Sequence, residues 1–275
     1  MNKFFKILSG ILIGILIFNI IYYSIILVPI KSWEATIGAH RTKISADGRY
    51  VAYLVGGRVG LLKKDNTFPI RDYISSENFE ALDISADGSY IVAGSNNNIR
   101  LFHKSNNTPI WSYYSGILVE TICISSDGQY IFAGIKDDNV YLFHQNSSTP
   151  LWSYKIGDPS RVAISANGTF MVAGANNNSF YLFEKSSNIP IWTKVFNNTP
   201  VRVAISENGS FIVCGTSGFN PDNSIFFFER YNSNQIWNYS IGTNPELDIS
   251  TEGSKIIVSE DQTLFVFSKN TSTPI

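Results

Sequence analysis

The chain has 275 residues, of which two are cysteine, two methionine and three histidine, and only 16% are charged. Cys123 and Cys214 sit in separate apolar runs, ETICIS and FIVCG. Without a CxxC or Cys/His spacing they give no metal-ligand set and no disulfide framework. The expectation is two buried free thiols packing as small hydrophobes. Lysine and arginine number 21 against 22 acids, a formal charge of -1. That lacks the positive excess on which phosphate-backbone binding rests, so no nucleic-acid partner is expected.

Charge is missing altogether from Ile7 to Ile30, 24 residues reading ILSGILIGILIFNIIYYSIILVPI. Roughly 20 apolar residues suffice to cross a bilayer as a helix. A secretory leader has a shorter apolar core and a small-residue cleavage site, which LVPIKSW does not offer. The expectation is an uncleaved transmembrane signal-anchor at residues 1–30 that binds the lipid bilayer through 7–30. Lys3 and Lys6 precede the run and Lys31 follows it. By the positive-inside rule the N-terminus is cytoplasmic and residues 31–275 lie outside, in a single-pass protein of the cell membrane.

What the remainder has in plenty is repetition. An Ile-Ser pair before a glycine turn recurs at Ile44, Ile84, Ile124, Ile164, Ile205 and Ile249, with spacings of 40, 40, 40, 41 and 44 residues. The turns read SADG, SADG, SSDG, SANG, SENG and STEG. Their glycines supply the positive φ of a tight hairpin. The acids at Asp47, Asp87 and Asp127 are read as turn chemistry. Each unit continues with a strand such as YIFAG, an Asn-rich loop, a third strand such as VYLFHQ, a Pro turn and a fourth strand opening on Trp111, Trp152, Trp192 or Trp237. Arg71 stands in that place in one unit.

Four short antiparallel strands per roughly 40 residues form the blade of a β-propeller, whose faces are buried only by neighbouring blades. The expected fold is therefore all-β, a six-bladed propeller over residues 31–275. Trp33 belongs to a lone fourth strand, KSWEA, ahead of the first full unit, and the sequence stops at TSTPI before a sixth-unit tryptophan. The two ends are expected to meet in a "velcro" closure that leaves no free sheet edge.

The stretch SADGSYIVAGSNNNIRLFHKSNNTPIWSY, Ser85–Tyr113, resembles the repeats of WD40-like and pyrroloquinoline-quinone-type propellers. It looks like the repeat unit of prokaryotic, especially archaeal, WD40-like membrane proteins. The Gly-His and Trp-Asp pairs of WD40 repeats are absent, and the tryptophan follows the Pro turn as in quinoprotein repeats. The resemblance implies the fold and leaves the activity open. Quinoprotein enzymes hold their cofactor with acidic metal ligands and, in some, adjacent cysteines; Cys123 and Cys214 belong to different units.

No nucleophile–base pair, metal cage or phosphate loop stands out, so no catalytic residue, cofactor or metal is expected. The steady basic column Lys64, Lys104, Lys185, Arg230 and Lys269 is expected to pair with the acidic hairpin turns within each blade. The binding face is expected where first strands enter the central channel. Arg41, Lys43, Asp83, Arg161, Arg202, Glu246 and Asp248 stand there, with Phe219, Asn220 and Asp222 of the longest loop, because varied loops on a rigid scaffold carry recognition. The expected function is a membrane-anchored, extracytoplasmic, non-catalytic module for a protein or glycan partner. The alternative is a redox enzyme or sensor with a quinone-type ligand in the channel. Eight Asn-x-Ser/Thr triplets, from Asn106 to Asn270, are glycan acceptors if the domain lies outside.

Overall fold

Each Ile-Ser-x-x-Gly segment builds the same hairpin. In the computed structural model, which describes residues 37–218, 223–242, 245–260 and 262–275, the Ser125 hydroxyl donates to Asp127 Oδ1 at 2.5 Å and accepts from the Tyr130 amide at 3.0 Å. Asp127 Oδ1 also accepts from the Gln129 amide. Asp47 and Asp87, and Asn167 and Asn208, repeat the arrangement with their own serines. All six turn glycines have φ between 67° and 74°. The side-chain oxygen thus does the work of a backbone acceptor, which fixes both the turn and the register of the strands leaving it.

Those hairpins open six antiparallel sheets, five with four strands and one with three among the described residues. The third sheet is typical: Val119–Ile124, Tyr130–Ile135, Asn139–His144 and Trp152–Lys155, side by side in chain order. The fourth strands begin at Arg71, Trp111, Trp152, Trp192 and Trp237, as the repeat predicts. No helix occurs among the described residues, and none is long and apolar enough to cross a membrane. The architecture is all-β and fits a six-bladed propeller. The expected anchor at 7–30 and the strand around Trp33 lie outside the described residues. So do Phe219, Asn220 and Asp222.

The core is divided among the joints between sheets. Five apolar clusters each straddle two consecutive sheets, from Leu54, Leu61, Phe79 and Phe102 at the first joint to Phe227, Trp237, Val258 and Phe267 at the fifth. Each joint repeats one set of contacts. An amide of one turn donates to a carbonyl of the next, as Ala46 to Ala86 (2.9 Å) and Glu207 to Thr251 (3.1 Å). The glycine of the later turn faces the ring that opens the previous sheet's second strand, so a Cβ on Gly168 would stand 2.4 Å from Tyr130. Trp111, Trp152, Trp192 and Trp237 donate Nε1 to the carbonyls of Gln145, Lys185, Arg230 and Lys269, one sheet onward. Arg71 does the same to Lys104 through Nε at 2.8 Å.

The basic column behaves differently from the expectation. Among the described residues no ion pair joins it to the hairpin acids. Lys104, Lys185, Arg230 and Lys269 lie 5.1, 4.8, 4.3 and 5.2 Å from the ring centres of Tyr50, Tyr130, Phe170 and Phe211 in the preceding sheet. The turn carboxylates and amides are already engaged by serine hydroxyls and backbone amides. These are cation–π contacts across the joint.

The junction of the sixth sheet with the first has none of this among the described residues. Lys255 holds the place of the aromatic ring, and no described atom lies within 4 Å of a Cβ on Gly48. Ile44 is 63% exposed and Leu264 66%. Ile275 donates to Val266 at 2.9 Å, as Ile236 does to Phe227 before its fourth strand. The chain is therefore in step with the repeat up to Ile275.

Candidate functional site

A polar opening of ≈ 350 Å³ forms where the first strands begin, and all six sheets contribute to it. Of the residues expected there, Arg41, Lys43, Arg161, Arg202 and Glu246 line it together. Asp83 stands just behind, 3.3 Å from Lys43 Nζ and 2.9 Å from the Ile124 amide that donates to it. Asp248 does not line the opening; it lines an adjoining shallow cleft of the sixth sheet with Glu246, Ile257 and Leu264, and its charge adds to the raising of Lys43. The strand explains the separation: successive side chains alternate sides, so 246 and 248 share one side but lie about 7 Å apart along the chain.

Charges within the opening are mostly spoken for. Arg202 donates to both carboxylate oxygens of Glu246, through Nε to Oε2 at 2.6 Å and through Nη2 to Oε1, while Nη1 donates to the Val201 carbonyl. The pairing holds the Glu246 carboxyl below and the Arg202 guanidinium above its ordinary range. Asp83 likewise raises Lys43 against the opposing effect of burial. Glu120 lies 3.6 Å from Lys136, which also reaches Asp158 at 2.8 Å. Arg161 differs. Its terminal nitrogen donates to the carbonyl of Ser160 at 2.7 Å, and no carboxylate among the described residues comes within ion-pairing distance. Burial lowers its pKa, and Arg202 and Arg41 lower it further, only partly offset by Glu120 and Glu246.

Glu80, Glu120 and Thr121 also line the opening and were not singled out from sequence. The signal was the shared column: Glu80 and Glu120 are 40 residues apart at the same strand position. His40, just ahead of the first strand, bonds through Nε2 to the Phe79 carbonyl at 3.1 Å. Cys123 and Cys214 are buried in the third and fifth sheets, where loss of hydration pushes both thiols well above their ordinary range. A thiol held protonated is a poor nucleophile and a poor metal ligand. Among the described residues no group of three or more His, Cys, Asp or Glu side chains is placed to hold a metal ion.

The family described as "WD domain, G-beta repeat" matches residues 74–103. That stretch runs from the end of the first sheet through the third strand of the second, less than one full repeat. No curated protein matches the chain. The match agrees with a WD40-like propeller, an architecture that serves as a protein-interaction scaffold.

Proposed function

We propose that this chain is a membrane-anchored, extracytoplasmic propeller that binds a protein partner over the channel mouth and performs no chemistry itself. One observation carries the reading: six strands from six sheets bring charged residues far apart in sequence to a single polar opening. The WD40 repeat match supports an interaction scaffold. The uncharged run Ile7–Ile30 supports the anchor, and Lys3 and Lys6 support the orientation. Residues 31–36 complete the ring in this reading, as the fourth strand of the sixth sheet.

The test is site-specific photo-crosslinking in cells. A photoreactive residue at Arg41 is expected to capture a discrete protein. One at Phe68, 76% exposed on a strand-3-to-strand-4 turn at the other face, is expected to capture none. Equal capture from both, or none from either, overturns the binding face. Labelling of intact cells with a membrane-impermeant amine reagent tests the orientation. Modification of exposed Lys155 is expected, and protection until the cells are lysed contradicts it.

A further inference from the structure

We propose that the channel mouth is a receptor for a small-molecule oxyanion, a carboxylate or phosphate held between Arg161 and Arg41. The inference rests on the channel mouth being the binding face, as argued above, and names the chemistry that enters it. It begins from how the charges are distributed. Two of the four cations lining the opening are committed: Arg202 to Glu246 and Lys43 to Asp83. Arg41 and Arg161 are not committed to any described carboxylate. They approach from the first and fourth of six sheets, opposite sides of the ring, so a ligand in the channel meets both.

The remaining acids do not neutralise them. Glu246 is held by Arg202, and Glu120 lies against Lys136. Glu80 is exposed at the rim. Arg161 is only partly solvated and keeps company with Arg202 and Arg41 at a cost that the neighbouring carboxylates only partly offset. An anion entering the ≈ 350 Å³ opening relieves that repulsion and gains charge-assisted hydrogen bonds from guanidinium forks, the geometry that carboxylate and phosphate oxygens match. The volume is at the lower end of small-molecule sites, which suits a compact ion better than a cofactor-sized one.

Isothermal titration of the detergent-solubilised full chain with inorganic phosphate and, separately, succinate tests this at fixed ionic strength. Saturable binding of at least one is expected, weakening as sodium chloride is raised. Arg161→Gln and Arg41→Gln are each expected to weaken it about 10-fold or more, the usual loss for a hydrogen bond to a charged group. Glu246→Gln removes a competing carboxylate and frees Arg202, so it is expected to tighten binding several-fold, a gain that a merely structural role does not produce. Lys155→Gln, on the surface, leaves it unchanged. No saturable binding of either ion up to tens of millimolar overturns the proposal. So does unaltered affinity in Arg41→Gln, whose exposed side chain is not needed for folding. Because no partner is present, anion binding alongside failed crosslinking would separate this inference from the partner reading.

Discussion

Glu77, in the loop entering the second sheet, accepts both terminal nitrogens of Arg100 at 2.8 and 2.9 Å, together with Ser95 and Asn98. Arg100 is buried and stands 5.5 Å from the ring centre of Phe79. The Arg100 hydrogen bonds, with Ser95 and Asn98, hold the Glu77 carboxyl at about 2 against an ordinary 4.5, outweighing burial. A depressed carboxylate stabilises the fold fully above its unfolded pKa and loses that contribution as pH falls through the folded value. Glu77→Gln is therefore expected to cost roughly 2–3 kcal/mol near neutrality, discounted for partial exposure. Melting temperatures of the two proteins should converge between pH 4.5 and 2; a constant gap across that range contradicts the assignment. The sequence marks Arg100 only as an exception in a column of tyrosine, phenylalanine and glycine. Its partner 23 residues away was not legible, because nothing local says that the loop folds back over the third strand.

Among the elements, the joint between sheets is the unit of stability, and its parts can be removed one at a time. Trp152→Phe keeps a ring against Phe132 and Phe183 but loses the bond to the Lys185 carbonyl. About 1 kcal/mol is the expected cost, against about 3–5 for Trp152→Ala, read from denaturant melts. In the first sheet Arg71 takes the tryptophan's place and leaves a gap of ≈ 20 Å³ beside Tyr73 and Phe102. Arg71→Trp should fill it and keep the donor to Lys104, leaving stability equal or higher, whereas Arg71→Ala lowers it. Equal losses in both variants would mean that the position is not equivalent to the tryptophans. Strand order, turn chemistry and the fourth-strand tryptophans were readable because each position keeps its role in every repeat. The cation–π pairs and the Arg202–Glu246 pair were not, since each joins residues more than a repeat apart in neighbouring sheets and depends on how those sheets are offset. The basic column was visible; that it lies over the ring column of the preceding sheet was a fact of packing.

For the whole molecule, five apolar clusters serve six sheets among the described residues, and the sixth sheet has three strands. Lys255 in place of a ring weakens the same junction from the other side. A ring with one unlatched joint exposes an apolar strand edge, which proteins otherwise cover. Ring closure by residues 31–36 is the claim on which the shape of the channel mouth, and so the functional reading, depends. The repeat arithmetic is what suggests it, and the segment itself lies outside the described residues. Its most direct test is the melting temperature of the full chain with residues 31–36 replaced by a Gly/Ser segment of equal length, which leaves the apolar run and the spacing intact. The proposed closure predicts a loss of about 3–5 kcal/mol, the usual cost of removing a buried tryptophan, and for a domain of this size that is a fall of about 10 °C. A melting temperature unchanged by the replacement would contradict the closure, leaving residues 31–36 as linker only.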